Sequence, residues 1–259
     1  MAFPVAPGPV LAIQTGVPHT NLGILRSYQF PAPLLTEQSA IAAALSDVDA
    51  LLAAQDTLIR KKQAIKQGAM QELLTGKRRL PGFGEKWGVK RLNELCSLKS
   101  GESITAARID EHWTIPCYGG NGLRGFTESY THEGDFALIG RQGALCGNVS
   151  IVDGKFFASE HALVVTPNFS TDIRWLSIVL RRANLNKYSE SSAQPGLSAS
   201  KLLSLEFLVP PTRDEQSAIS ELLSEIDVDI FAMRAKREKT ALLKQGMMQE
   251  LLTGKTRLV

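Results

Sequence analysis

The sequence is short of cysteine, with three in 259 residues, and Cys96, Cys117 and Cys146 follow no CxxC spacing. That argues against a disulfide framework or a zinc module and predicts a reducing, cytoplasmic setting. No run of eighteen apolar residues occurs, so neither a transmembrane helix nor a membrane partner is predicted. The opening stretch MAFPVAPGPVLAIQTG has neither the basic start nor the long apolar core of a secretory signal. Charge of one sign is not in excess either. A net charge of +3 does not identify a nucleic-acid binder, and residues 81–209 carry about as many acidic as basic side chains. Any anion-binding surface must therefore be a local arrangement of side chains. Catalytic signatures are also missing. There is no Asn/Asp-Pro-Pro-aromatic motif of a methyltransferase and no acidic pair followed by lysine of a nuclease. His112, His132 and His161, near Cys117 and Cys146, lack zinc-ligand spacing. Gly120-Asn121-Gly122-Leu123-Arg124-Gly125 fits G-x-G-x-x-G, but the β-like Phe126-Thr127-Glu128-Ser129-Tyr130 follows where a dinucleotide site needs a helix. Thr253-Gly254-Lys255-Thr256 has Gln249 where a phosphate-binding loop has its first glycine, and it reads as a helix stop.

What the chain does have is a repeat. Residues 33–80 return as 211–258, offset by 178 residues without a gap and identical at about half the positions. Glu37-Gln38-Ser39-Ala40-Ile41 matches Glu215-Gln216-Ser217-Ala218-Ile219, and Met70-Gln71-Glu72-Leu73-Leu74-Thr75-Gly76-Lys77 is repeated from Met248. A period this long is not a solenoid; it predicts a duplicated helical arm around one inserted domain. Thr36 and Asp214 are the expected N-caps, and Gly76 and Gly254 the C-terminal stops, with Lys77 and Lys255 beside the negative end of the dipole. Ile41, Leu45, Val48, Leu52 and Ile59 recur at coiled-coil spacing, as do Ile219, Leu223, Ile226, Ile230 and Met233. So narrow a stripe suits one helical partner. It predicts an antiparallel pair of arms, each roughly 60 Å long; two separate helices lying on the middle domain are the alternative. Gly68 and Gly246 are costly inside helices and predict a close backbone approach or a kink.

The middle segment has a different texture. β-like runs at 136–139, 149–152 and 162–165, with one helical stretch at 173–182, predict an α+β domain. The N-terminus echoes its end, since Gly16-Val17-Pro18-His19-Thr20-Asn21 parallels Gln194-Pro195-Gly196-Leu197-Ser198-Ala199. The expected organisation is a stub of a first such domain at 1–32, an arm at 33–80, the domain at 81–209 and an arm at 210–259. Two loops have polar tips: Tyr118-Gly119-Gly120-Asn121-Gly122 with Arg124, and Ile139-Gly140-Arg141-Gln142-Gly143. Arginine matches guanine O6/N7, and asparagine or glutamine matches adenine N6/N7. Lys99, Lys155, Arg181, Arg182 and Lys187 suit phosphates. Plain hairpin turns with solvated charges are the alternative for each loop.

Taken together, the pattern resembles the specificity (S) subunits of type I restriction-modification enzymes. The resemblance rests on the arm–domain–arm order, Ile115-Pro116-Cys117-Tyr118-Gly119-Gly120-Asn121-Gly122, the Ile139–Gly143 loop, Pro210-Pro211 before Glu215-Gln216, and the Leu-Leu-Thr-Gly-Lys arm endings. It implies an α+β target recognition domain flanked by two long helices that form an antiparallel coiled coil. That domain would read half of a bipartite double-stranded DNA site, with Tyr118, Asn121, Arg124, Arg141, Gln142, Lys99, Lys155 and Lys187 as the DNA-binding candidates. The arms would serve as spacer and as docking surface for methyltransferase (M) subunits, two in number, joined by restriction (R) subunits. S-adenosylmethionine, ATP and magnesium would sit on those partners, leaving no catalytic residue, metal or cofactor here. The family usually carries two recognition domains, so a homodimer is the expected source of the second. The competing readings are a nucleotide-dependent enzyme built on the glycine loops and a coiled-coil scaffold without specific DNA readout. Salt-dependent binding of a specific duplex separates them.

Overall fold

The computed structural model describes residues 22–27, 32–143, 145–189 and 196–258. Most of the 1–32 stub therefore lies outside the described residues, as does the Gly16-Val17-Pro18 echo. In chain order the first elements are α1 (Leu22–Ser27), α2 (Leu35–Leu73), β1 (Gly88–Arg91), β2 (Cys96–Ser100), β3 (Ile115–Gly119), β4 (Gly122–Thr127), β5 (His132–Glu133) and β6 (Phe136–Gly140). There follow β7 (Val149–Val152), β8 (Lys155–Ala158), β9 (Ala162–Pro167), α3 (Ile173–Arg182), α4 (Ala199–Leu203), β10 (Glu206–Val209) and α5 (Arg213–Leu252). Among the described residues no helix is long and apolar enough to cross a membrane. The chain divides into two compact units, Met1–Ala64 with Val228–Val259, and Ile65–Asp227.

In the helical unit α2 and α5 run antiparallel. Lys62–Asp229 (2.7 Å), Asp56–Arg237 (3.1 Å) and Asp49–Lys244 (2.5 Å) descend one helix while climbing the other, and Glu37–Arg257 (2.5 Å), just past the end of α5, continues the order. The covered positions of α2 include 41, 45, 48, 52, 55, 59 and 62, alternating by four and three. This is coiled-coil spacing, and it contains the expected stripe plus two polar places, Gln55 and Lys62. Gln55 Nε2 donates to Thr240 Oγ1 at 3.2 Å, forming a buried polar layer in the seam.

The helix ends differ in part from expectation. The helices open at Leu35 and Arg213, which puts Thr36 and Asp214 inside the first turn. Thr212 takes the capping role for α5, its hydroxyl accepting from the Glu215 N–H at 3.3 Å. The stops are as expected: Gly76 and Gly254 adopt φ of +67° and +71°, the left-handed conformation that ends a helix cheaply only at glycine. A side chain added at Gly68 or Gly246 would meet nothing within 4 Å, so no close backbone approach explains them.

The second unit contains two four-stranded sheets, ordered β2-β9-β6-β7 and β4-β3-β8-β5, and a small β1-β10 ribbon. All strand pairs are antiparallel except β3 with β8. Its main core gathers Leu92, Leu95, Ile139, Leu163, Trp175 and Leu176, so α3 packs its apolar face on the first sheet. Asp172 caps α3 by accepting from the Trp175 N–H at 2.7 Å. The repeated Glu-Gln-Ser stretch at the start of α5 also has a structural task. Buried Glu215 holds Arg79 at 2.5 and 2.7 Å and accepts from Trp87 Nε1 at 3.2 Å. Gln216 Oε1 accepts from the Asp172 N–H at 2.8 Å, while the Ser217 and Ser220 hydroxyls donate to the Asp172 carboxylate, each at 3.1 Å. The first turn of α5 is thereby fastened to the cap of α3.

Candidate nucleic-acid interface

Strand pairing gathers the loops. Because β3 and β8 are parallel, both end on the same side. On the first sheet, the end of β6 lies beside the start of β9 (Gly140↔Ala162), and the end of β2 lies beside Leu163. Residues 119–121, 140–143, 159–161 and 196–197 therefore converge. The Ser159 N–H donates to Tyr118 O at 2.8 Å, the Arg141 N–H to His161 O at 2.8 Å, and the Leu197 N–H to Arg141 O at 2.9 Å. Glycine is required where the two polar loops cross: a Cβ on Gly140 would stand 2.1 Å from Gly120 O.

Most of the predicted contact residues fall in or beside this cluster. Asn121 is exposed at the tip of the β3–β4 hairpin. Tyr118 is half-buried, edge-on to Phe156 at 6.1 Å, and burial raises its phenol pKa. The Arg124 side chain crosses Gly119, its Cδ 3.7 Å from where a Cβ would stand. Arg141 Nη1 donates to Ser100 Oγ at 2.8 Å, which holds the guanidinium, and Gln142 beside it is exposed. Lys99 is exposed one residue before Ser100. Lys187 lies over the Tyr188 ring at 5.0 Å on a short turn, Leu185–Tyr188, that packs against Gly147. Arg181 spends its Nε on Val149 O at 2.9 Å, and Arg182 is exposed.

Lys155 falls elsewhere. It begins β8, whose other end carries the cluster, and a strand of that length spans roughly 13 Å. There it lies over the Tyr130 ring at 4.8 Å and 4.0 Å from Glu133. Conversely, Ser100, Ser159, Glu160 and His161 belong to the cluster and were not among the predicted contacts. Only the strand pairing gives Ser159-Glu160-His161 its neighbours.

Among the described residues no group of three metal-ligating side chains occurs. His132 stacks on Phe156 at 5.3 Å, and burial lowers its pKa. All three thiols are buried, which raises them above the ordinary range and pushes Cys96 up to about 12. The G-x-G-x-x-G stretch lies across the β3–β4 hairpin, with no helix at its end.

The sheet domain thus presents guanidinium, amide and imidazole groups on one loop cluster, in a chain that also forms an antiparallel helix pair. The chain belongs to the family described as the type I restriction modification DNA specificity domain, which matches residues 84–242. It is 42% identical over 142 residues to the type I restriction enzyme EcoprrI specificity subunit of Escherichia coli, covering 53% of this chain and 35% of that protein. It is 25% identical over 279 aligned residues to the MjaVIII specificity subunit of Methanocaldococcus jannaschii, covering 94% of this chain and 65% of that one. The chain thus spans between about a third and two thirds of these curated relatives. Among solved structures, the S subunit from M. genitalium superposes with a TM-score of 0.62 at 18% identity, covering 84% of this chain and 61% of that one. The HsdS subunit from Thermoanaerobacter tengcongensis gives 0.52, also at 18% identity, over 95% and 66%. At that identity the likeness concerns the fold.

Proposed function

We propose that this chain is the DNA-reading part of a type I restriction-modification assembly: the loop cluster around Arg141 reads part of a double-stranded site, and the helical arms dock methyltransferase subunits. It works in the cytoplasm, where such an assembly meets DNA. The observation that carries the reading is the convergence of Tyr118, Asn121, Arg124, Arg141 and Gln142 on one end of the sheets, in a chain whose family is that of specificity domains. The guanidinium and amide groups among them match base edges in the major groove, and Lys99, Arg182 and Lys187 on the flanks suit phosphates. Methyl transfer and cleavage, with S-adenosylmethionine, ATP and magnesium, belong to partner subunits. This chain's part is to position them. The test is titration of the full chain with randomised duplexes across a salt series, without cofactor. Enrichment of one sequence, with the logarithm of the affinity falling linearly in log salt, is expected. Binding without any sequence preference overturns the reading.

A further inference from the structure

The β8–β9 turn carries two side chains whose surroundings do not account for them. Its backbone is committed internally: the Ser159 N–H to Tyr118 O, His161 O to the Arg141 N–H, and the Ala162 N–H to Ser159 O. The Glu160 side chain is one third exposed, with Oε1 3.3 Å from His161 Nε2. Its Oε2 is shielded from solvent and has no hydrogen-bond partner among the described residues, and the same holds for Ser159 Oγ beside it. A shielded carboxylate oxygen without a donor is costly, and a negative charge on a surface that meets a polyanion adds repulsion. Both costs are offset if the one-third-exposed carboxylate turns outward to a donor that arrives with the ligand. In the major groove the only donors on base edges are cytosine N4 and adenine N6, and an acidic side chain accepts from such an amino group.

We propose that Glu160 is a specificity-determining residue that accepts a hydrogen bond from the exocyclic amino group of one target base, with His161 positioning its carboxylate. The assignment rests on the DNA-reading function proposed above. Glu160 would then demand cytosine or adenine at one position of the site, while Arg141 and Gln142, across the same turn, read neighbouring positions.

The test is selection of randomised duplexes by the full chain as wild type, Glu160→Gln and Glu160→Ala, with circular dichroism confirming that each variant is folded. The wild type should enrich a motif with an invariant cytosine or adenine. Glu160→Ala should lose discrimination at that position alone, by roughly tenfold or more, while keeping the rest of the motif; Glu160→Gln, whose amide oxygen still accepts from the amino group, should retain a preference there. Duplexes carrying the analogue that lacks the amino group at that position, purine for adenine or zebularine for cytosine, then identify the base. The analogue should weaken the wild type and leave Glu160→Ala unchanged. An intact motif in Glu160→Ala, with affinity shifted equally for all duplexes, makes Glu160 an electrostatic bystander and overturns the proposal while the DNA-reading function stands. A wild type that enriches no motif overturns the DNA-reading function itself.

Discussion

At the scale of single residues, location separates side chains that composition makes equal. Arg141 and Lys155 are both basic and both sit at strand ends, but only Arg141 lies in the loop cluster, steadied by Ser100. Lys155 is engaged with Tyr130 and Glu133 at the far end of β8. Arg141→Ala should therefore cost about 1–3 kcal/mol on the preferred duplex and relax one base position. Lys155→Ala should leave both the affinity and the salt slope unchanged, because a cation away from the phosphates releases no counterions on binding. Binding isotherms at three salt concentrations check both. Equal losses for the two variants would place Lys155 on the DNA and contradict the arrangement of loops described above.

At the scale of elements, the repeat appears as repeated bonds. Glu37–Arg257 in the helical unit and Glu215–Arg79 in the second unit use the same two repeat positions, as do Asp49–Lys244 and Asp227–Lys66. The helical seam also has a place where stability and register are in conflict. Gln55 donates to Thr240, yet Gln55 Oε1 is buried without a partner. Gln55→Leu removes that oxygen, and the Thr240 hydroxyl still has Lys236 O at 3.0 Å. The variant should raise the melting temperature, consistent with about 1 kcal/mol for relieving one unsatisfied buried group. It should also broaden the set of inter-arm disulfides formed by cysteines placed along the seam, since a buried polar layer fixes register. A lower melting temperature would show that the layer contributes net stability. The arms were legible in the sequence because four–three spacing and left-handed glycines are local signals. Gln55 and Lys62 escaped because a polar side chain at a seam position breaks the apolar pattern. Thr212 was missed as a cap because Asp214 satisfies the same rule two residues later. The loop cluster was legible only as separate polar tips. Its assembly depends on β3 pairing with β8, some forty residues apart, and no local pattern encodes that. For the same reason sequence gives the charges of Lys155 and Glu160 but not the end of the sheet at which each lies.

At the scale of the whole molecule, the decisive quantity is the number of readers on one DNA site. One loop cluster of this size meets only a few base pairs, and each specific pair contributes about 1–3 kcal/mol of discrimination. Against the many competing sites of a genome that is too little, so a second reader is needed. The curated relatives are longer than the matched segments, which cover 35% and 65% of them. We propose that a second copy of this chain supplies the second reader. Two copies related by a two-fold axis present identical readers in opposite senses, and identical readers in opposite senses select an inverted repeat. Joining two half-site affinities also raises the total through effective concentration, without any new contact. The expected outcome is therefore a complex with methyltransferase subunits that contains two copies of this chain and methylates an interrupted palindrome. Native mass spectrometry counts the copies, and methylation mapping in cells expressing this chain with a methyltransferase subunit reads the motif. An asymmetric motif, or one copy per complex with full specificity, would rule out the symmetric arrangement.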